Sequence, residues 1–426
     1  MNRFIYSTLL YLASPFVLVR LAIRARKAPA YGVRKAERFG FFSWKNDNKP
    51  VIWVHSVSVG ETIASAPMVK ALQKQYSNHR ILITTMTPTG SEQVTKLHGD
   101  SVAHVYAPYD LPDAVHRFLS KVSPAIAIMI DTELWPNIIA ACHDQKIPVA
   151  VVNARLSERS AKGYGRLGKL TRQMLQQVST IAAQDQETGQ RFIALGLPES
   201  KLEVTGSVKF DLDIAPKTLS AGQSLRQRWQ AGMNTNIQLL VAASTHEGED
   251  QSIIDAFKTI LSNRPNARLL LVPRHPERFD SVFQLIEKNN LTAVRHSQGS
   301  ETTPETQVIL GDTMGEMMDF YGASDMAFVG GSLVATGGHN MLEPAALGLP
   351  VLSGPHVFNF AEISDSLVKS GGMELVESSE QLAEAVLELM DNKEKSEQMG
   401  LRAQSFVNKN KGALTKTLNI IQRHLK

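Results

Sequence analysis

Two glutamates in this 426-residue chain stand where a carboxylate can do chemistry. Glu61 closes the run HSVSVGE, directly after the apolar stretch 51–55 and at the start of a helical pattern running through residue 71. Glu343 stands at the end of GGSLVATGGHNMLE, where an apolar strand (326–329) enters a Gly-rich turn and a short helix opens at residues 340–343. In open α/β sheets ligands bind beyond the carboxyl ends of the strands, and helix N-termini there favour anions. A carboxylate at such a turn can take a proton from an attacking hydroxyl. It can also accept hydrogen bonds from a pair of sugar hydroxyls, since both of its oxygens are acceptors. Each residue alone fits a helix-capping acid equally well.

These turns need parallel strands to hold them, and the chain supplies them. Apolar runs at 51–55, 81–85, 125–130, 149–152 and 180–183 alternate with amphipathic stretches in the first half. The second half repeats the theme at 239–243, 268–272, 308–310, 325–329 and 351–352. That alternation predicts an α/β protein of two doubly wound, Rossmann-like domains facing each other across a cleft. Residues 29–210 form the first domain, 211–220 a polar linker, and 221–410 the second. An amphipathic tail, 411–426, is expected to pack back across the cleft as a helix.

The N-terminal segment 1–28 is of another kind. Residues 4–19 carry no charge, and Arg20, Arg24, Arg26, Lys27, Arg34, Lys35 and Arg38 follow. The length is marginal for a bilayer span and Pro15 interrupts it, so a spanning and a monotopic anchor both remain open. The basic flank argues against cleavage at Ala28-Pro29-Ala30 and places the body at the cytoplasmic face of an inner membrane. A formal net charge of +4 gives no reason to expect nucleic acid. The single cysteine, Cys142, permits no intrachain disulfide and fits a reducing compartment.

Five phrases in order make the pattern specific: HSVSVGE, Thr87-Pro88-Thr89-Gly90, Asp131-Thr132-Glu133-Leu134-Trp135-Pro136, PRHPERF from Pro273, and the GGHN segment. With the linker phrase TGSVKF ending at Phe210, the chain closely resembles the transferases of 3-deoxy-D-manno-octulosonic acid (Kdo), over nearly its whole length. The resemblance implies a GT-B glycosyltransferase that moves Kdo from CMP-Kdo to the glucosamine disaccharide of a lipid A precursor (lipid IVA). It further implies that transfer would proceed with inversion and release CMP, in lipopolysaccharide biosynthesis. The first domain would hold the lipid acceptor and the second the nucleotide.

The resemblance also assigns residues. Glu61 becomes the catalytic base. Beside what the resemblance assigns, Glu133 is placed to orient either Glu61 or the acceptor, and Lys209 is either a solvated linker lysine or a cation that meets the Kdo carboxylate or the phosphate. CMP contacts map onto Pro273, Arg274, Met314, Gly315, Glu316, Asn340, Met341, Leu342 and Glu343. Ser244 either forms a capping box with Glu247, or it and Thr245 offer a helix N-terminus to the donor phosphate. Arg34 and Arg38, with Lys35, are either membrane-surface charge or contacts to acceptor phosphates.

Asp211-Leu212-Asp213 matches a DxD metal motif, but that motif serves leaving diphosphates, and a CMP-sugar leaves as a monophosphate. No cofactor or metal is therefore expected. The alternatives are another GT-B enzyme, such as a heptosyltransferase or a sugar-nucleotide epimerase, and a non-catalytic membrane-tethered nucleotide-sugar binding protein.

Overall fold

The computed structural model describes every residue except Asn46, Asp213, Ala215, 232–235, Ser300 and Lys426. The chain divides into two compact units, residues 1–211 with 411–426, and residues 212–410. Among the described residues each unit is built on one seven-stranded sheet, and the strand pairs are parallel.

In the first unit the strands are β1 (Val51–His55), β2 (Arg80–Thr85), β3 (Ala103–Tyr106), β4 (Pro124–Ile130), β5 (Val149–Ala154), β6 (Thr180–Ala183) and β7 (Leu202–Val204). Their spatial order is β3-β2-β1-β4-β5-β6-β7. The central strands are buried along both faces because helices cover the sheet on both sides, which is why VIWVH and AIAIMI read as continuous apolar runs rather than alternating ones. Trp53 and Phe118 pack at 4.7 Å on one side. On the other, Ile52, Val54, Met68 and Leu72 share a core with Ile420 and Ile421. Those isoleucines belong to the C-terminal helix Ala413–His424, so the tail returns to the first unit.

The second unit contains β8 (Gln238–Thr245), β9 (Ala267–Pro273), β10 (Ala293–Arg295), β11 (Val308–Leu310), β12 (Met326–Val329), β13 (Val351–Ser353) and β14 (Met373–Leu375). Their order is β10-β11-β9-β8-β12-β13-β14. In both sheets the strand order reverses beside the first strand of the unit, between β1 and β4 and between β8 and β12. Such a reversal leaves a crevice at the strands' carboxyl ends, the place where open α/β sheets bind ligands.

Two expected boundaries shift. Helix Pro216–Gln230 begins inside the stretch expected to be linker. Asp211 is also drawn into the first unit, where its two carboxylate oxygens accept the Gly412 and Leu414 amides at 2.6 and 2.5 Å and cap the C-terminal helix. Its DxD partner, Asp213, lies outside the described residues.

The N-terminal apolar segment is one helix, Arg3–Lys27, with Pro15 inside it. Proline cannot donate to the Tyr11 carbonyl, and the Ser14 hydroxyl does so instead at 2.7 Å. The helix therefore continues through the proline.

Candidate active site

The β1–β4 crevice of the first unit gathers three carboxylates. Ser58 is the N-cap of helix Val59–Gln75 and receives the Glu61 amide at 3.3 Å. The Glu61 side chain reaches back, accepting the Val57 amide and the Ser58 hydroxyl, both at 2.7 Å. This reciprocal cap fixes the carboxylate at the strand end yet uses only two of its lone-pair positions. Burial pushes its pKa up to about 7, against the lowering hydrogen bonds and with added repulsion from Glu133 and then Asp131. The carboxyl is thus poised near neutrality, as a general base requires.

Glu133 and Asp131 leave the end of β4. Trp135 donates its indole N–H to Glu133 at 2.7 Å, and burial followed by the Asp131 charge raises the Glu133 pKa. Asn153 donates to Asp131 at 2.6 Å, and its own oxygen accepts the Val208 amide at 3.2 Å. That bond fixes the turn bearing Lys209, whose charge acts on Asp131. Asp131 and Asn153 both hold left-handed backbone (φ 57° and 55°), a conformation that L-residues adopt at a cost and that is concentrated at functional edges. The fully buried His55 at the end of β1 is driven down to about 3 by burial and is neutral; its ring meets Trp135 edge-on at 4.9 Å.

Arg34 and Arg38 take structural partners. Arg34 pairs with Glu37 at 2.7 Å and donates to the His104 carbonyl at 3.0 Å. Arg38 is only 2% exposed, donates to the Met86 carbonyl at 3.0 Å and stacks on Tyr106. Arg38 is therefore not surface charge, and any influence on an acceptor would act through the loop after β2.

The second unit holds a cavity of about 300 Å³ at the ends of β8, β9, β11 and β12, and Ser244, Pro273, Arg274, Met314, Gly315, Asn340 and Glu343 all line it. Arg274 is exposed and its side chain has no hydrogen bond or ion pair among the described residues. Asn340 donates to Glu343 at 3.0 Å. Burial raises the Glu343 pKa, while that hydrogen bond and the Arg274 charge oppose the rise. Gly315 has φ +92° with open space around it, so glycine is needed there for the turn itself.

Other expected contacts stand apart. Met341 and Leu342 are fully buried and can offer only backbone. Glu316 does not line the cavity; it accepts the hydroxyl of Thr313, which does, and lies 3.2 Å from His296. Thr245 is buried and donates to Asp250 at 2.7 Å, whereas Ser244 faces the cavity from a left-handed conformation (φ 57°). The capping box expected from Ser244 and Glu247 does not form, because helix Asp250–Asn263 starts later and has Glu249 as its N-cap.

Several members of the site carried no sequence assignment. His339 lines the cavity and lies 2.8 Å from His246, one ring nitrogen donating to the other. Burial, with the neighbouring His246 and Arg274, holds His339 down to about 4. Glu249, fully buried, accepts the amides of Gly331, Ser332 and Leu333 and so pins the Gly-rich turn.

Comparison with known proteins bears on the family and the fold. Residues 34–212 match the family model of 3-deoxy-D-manno-octulosonic-acid transferase (kdotransferase), and residues 223–406 match glycosyl transferases group 1. Among solved structures, UDP-GlcNAc 2-epimerase from Neisseria meningitidis has a TM-score of 0.57 at 17% identity, over 88% of this chain and 99% of that one. A glycosyltransferase from Rickettsia africae reaches 0.52 at 16% identity, over 89% of this chain and 99% of its own. These likenesses identify the GT-B fold alone. The 3-deoxy-D-manno-octulosonic acid transferase of Bordetella pertussis is 33% identical over 99% of both chains. That of Haemophilus influenzae is 44% identical over 100% of this chain and 99% of its own, and on that full-length similarity the chain belongs to the 3-deoxy-D-manno-octulosonic acid transferases, a family of glycosyltransferases.

Proposed function

We propose that this Kdo transferase takes its sugar from CMP-Kdo and passes it, with inversion, to the glucosamine disaccharide of a lipid A precursor at the cytoplasmic face of the inner membrane. The observation that carries the donor assignment is the convergence of Arg274, Gly315, Asn340 and Glu343, from three separate strand ends, on one cavity. Arg274 supplies an unpaired cation for the phosphate, and a cation there stabilises the CMP monophosphate as it leaves. Glu343 accepts from the ribose hydroxyls. In the first unit Glu61 removes the proton of the acceptor hydroxyl as it attacks the anomeric carbon. Lys209 offsets the negative charge of the carboxylate cluster and meets charge developing on the sugar acid. Burial raises the Glu61 pKa, and the Glu133 charge adds to that rise.

The test is incubation of the purified chain with CMP-Kdo and a tetraacylated lipid A precursor, followed by mass spectrometry of the lipid. The expected result is a lipid heavier by one or more Kdo residues, with free CMP. An unmodified lipid, while CMP still binds, would overturn the acceptor assignment.

A further inference from the structure

The helix Arg3–Lys27 is held against the first unit at its start and runs into a fixed part of the same unit at its end. At its start, the Met1 ammonium donates to the Leu167 carbonyl at 3.2 Å and Arg3 lies 3.7 Å from Asp144. One turn on, Ser7 donates to Asn137 at 3.1 Å and Tyr6 hydrogen-bonds the buried Asp110. Tyr11 donates to Asp113 at 2.7 Å. At its far end Arg24 stacks on Tyr31 at 4.1 Å, and the chain passes directly into two short helical turns, Pro29–Gly32 and Lys35–Phe39. The second turn is fixed to the same unit, where the Phe39 carbonyl accepts from Arg117 at 2.8 Å.

A helix of 25 residues is long enough to cross a bilayer, at about 1.5 Å per residue, so length does not decide its orientation. The contacts do. In a spanning helix the two ends lie on opposite sides of about 30 Å of hydrocarbon, and a folded body can touch only one of them. Here residues 1–11 touch it directly, and the other end leads within a few residues into the turn Lys35–Phe39 that is fixed to it. Spanning would strip Asp110, Asp113 and Asp144 of their partners on this helix or carry the carboxylates into lipid, where charge is expensive.

The outer face fits a different role. Ile5, Leu9, Leu12, Phe16, Val19 and Ile23 recur at helical spacing and are exposed, Phe16 to 78% and Leu12 to 67%. Ser7, Leu10, Ser14, Leu21 and Ala25, on the opposite side, are less exposed. Arg20, Arg26 and Lys27 have no ion pair among the described residues and suit anionic headgroups. We infer that this helix lies in the plane of the membrane, with its Ile5–Leu12–Phe16–Ile23 stripe in one leaflet and both of its ends on the side of the catalytic body. The inference rests on the anchoring reading above and specifies its geometry.

Single-cysteine variants of the full chain test it in sealed inner-membrane vesicles from expressing cells. The native thiol stays silent, because Cys142 is buried and held up at about 12. An impermeant maleimide should modify Asn2→Cys and Lys96→Cys from the same side, in equal yield before and after vesicle rupture or in equal measure only after it. Spin labels at Leu9→Cys, Phe16→Cys and Ile23→Cys should report one shallow depth. Labelling of Asn2→Cys from the side opposite Lys96→Cys overturns the in-plane geometry. So does a Phe16 label about 10 Å deeper than the other two, the spacing that seven helical residues give a spanning helix. If the protein fails to float with vesicles at all, the anchoring reading falls, and that result is distinct from a failure of sidedness.

Discussion

Glu249 accepts the Ser332 amide at 2.7 Å, joining the loop after β8 to the Gly-rich turn after β12 across the reversal point of the second sheet. The same carboxylate takes the Gly331, Leu333 and His246 amides at 2.7, 2.8 and 2.9 Å, so each oxygen accepts two donors. Gly330 must be glycine at this crossing, since a Cβ there would stand 2.9 Å from the Ala243 carbonyl. Glu249→Gln replaces one acceptor oxygen with an amide that faces two N–H donors. The loss of two charge-assisted bonds predicts destabilisation of about 3 kcal/mol or more, with weaker CMP binding because the turn leads to Asn340 and Glu343. Thermal unfolding and calorimetry check this; an unchanged melting temperature would refute the pin.

Glu61 sets an expected pH dependence. Its carboxyl titrates near 7 and must be ionised to act, so turnover should fall tenfold per unit as pH drops below about 7. The Glu133 charge is one of the causes that raise it, so Glu133→Gln should move this acid limb to lower pH. Glu61→Gln should bind CMP normally and lose roughly 10²- to 10⁴-fold in turnover. A limb that stays in place or moves upward in Glu133→Gln would sink the coupling.

The strands that sequence patterning reveals and those that it hides differ in a physical way. The unrecognised strands are β3, β7, β10 and β14, and each is a sheet edge. Their sequences, AHVY, LEV, AVR and MEL, are short and mix polar with apolar residues, because an edge strand is incompletely covered and needs no unbroken apolar run. The same distinction applies to the sites. Glu61 and Glu343 are legible because each stands in the first turn of the helix that follows a strand, and local order alone puts it at a carboxyl edge. Glu249 holds amides 82 to 84 residues away, and Asn153 joins Asp131 to the turn of Lys209. The local His246 amide on Glu249 reads only as a turn contact, and the distant partners of both residues arrive only when the sheet closes.

The donor cavity makes a selective prediction. Arg274 is exposed and unpaired, so Arg274→Ala should leave thermal stability nearly intact while weakening CMP binding. Glu343→Ala should weaken it similarly, and each lost charged bond corresponds to about 1.5 to 3 kcal/mol, or roughly 10- to 150-fold in affinity. UDP should compete poorly with CMP. Calorimetry showing equal affinity for UDP, or parental CMP affinity in both variants, would discard the assignment.

A strong chelator should leave transfer intact. Asp211 is committed to capping the C-terminal helix, and a departing monophosphate is within the reach of a cationic side chain such as Arg274. Activity lost to the chelator and restored by magnesium would reverse this expectation.

Removal of residues 1–23 should release a folded, active body from membranes at high salt, and it should also change how stability depends on pH. Tyr6 hydrogen-bonds Asp110, whose oxygens accept the Asn137 and Ile138 amides at 3.0 and 2.8 Å, and burial lifts this carboxyl to about 7 despite those bonds. Between its unfolded value near 4 and 7 the native state holds a proton that the unfolded chain has released, so this group's contribution to stability falls as pH rises. Removing the helix exposes Asp110 to water, returns its pKa toward the ordinary range and flattens that dependence. The melting temperature of the full chain should therefore exceed that of the truncated form by more at pH 5 than at pH 8, with both measured in the same detergent. A gap that widens with pH would show that Asp110 is not the residue through which the helix stabilises the body.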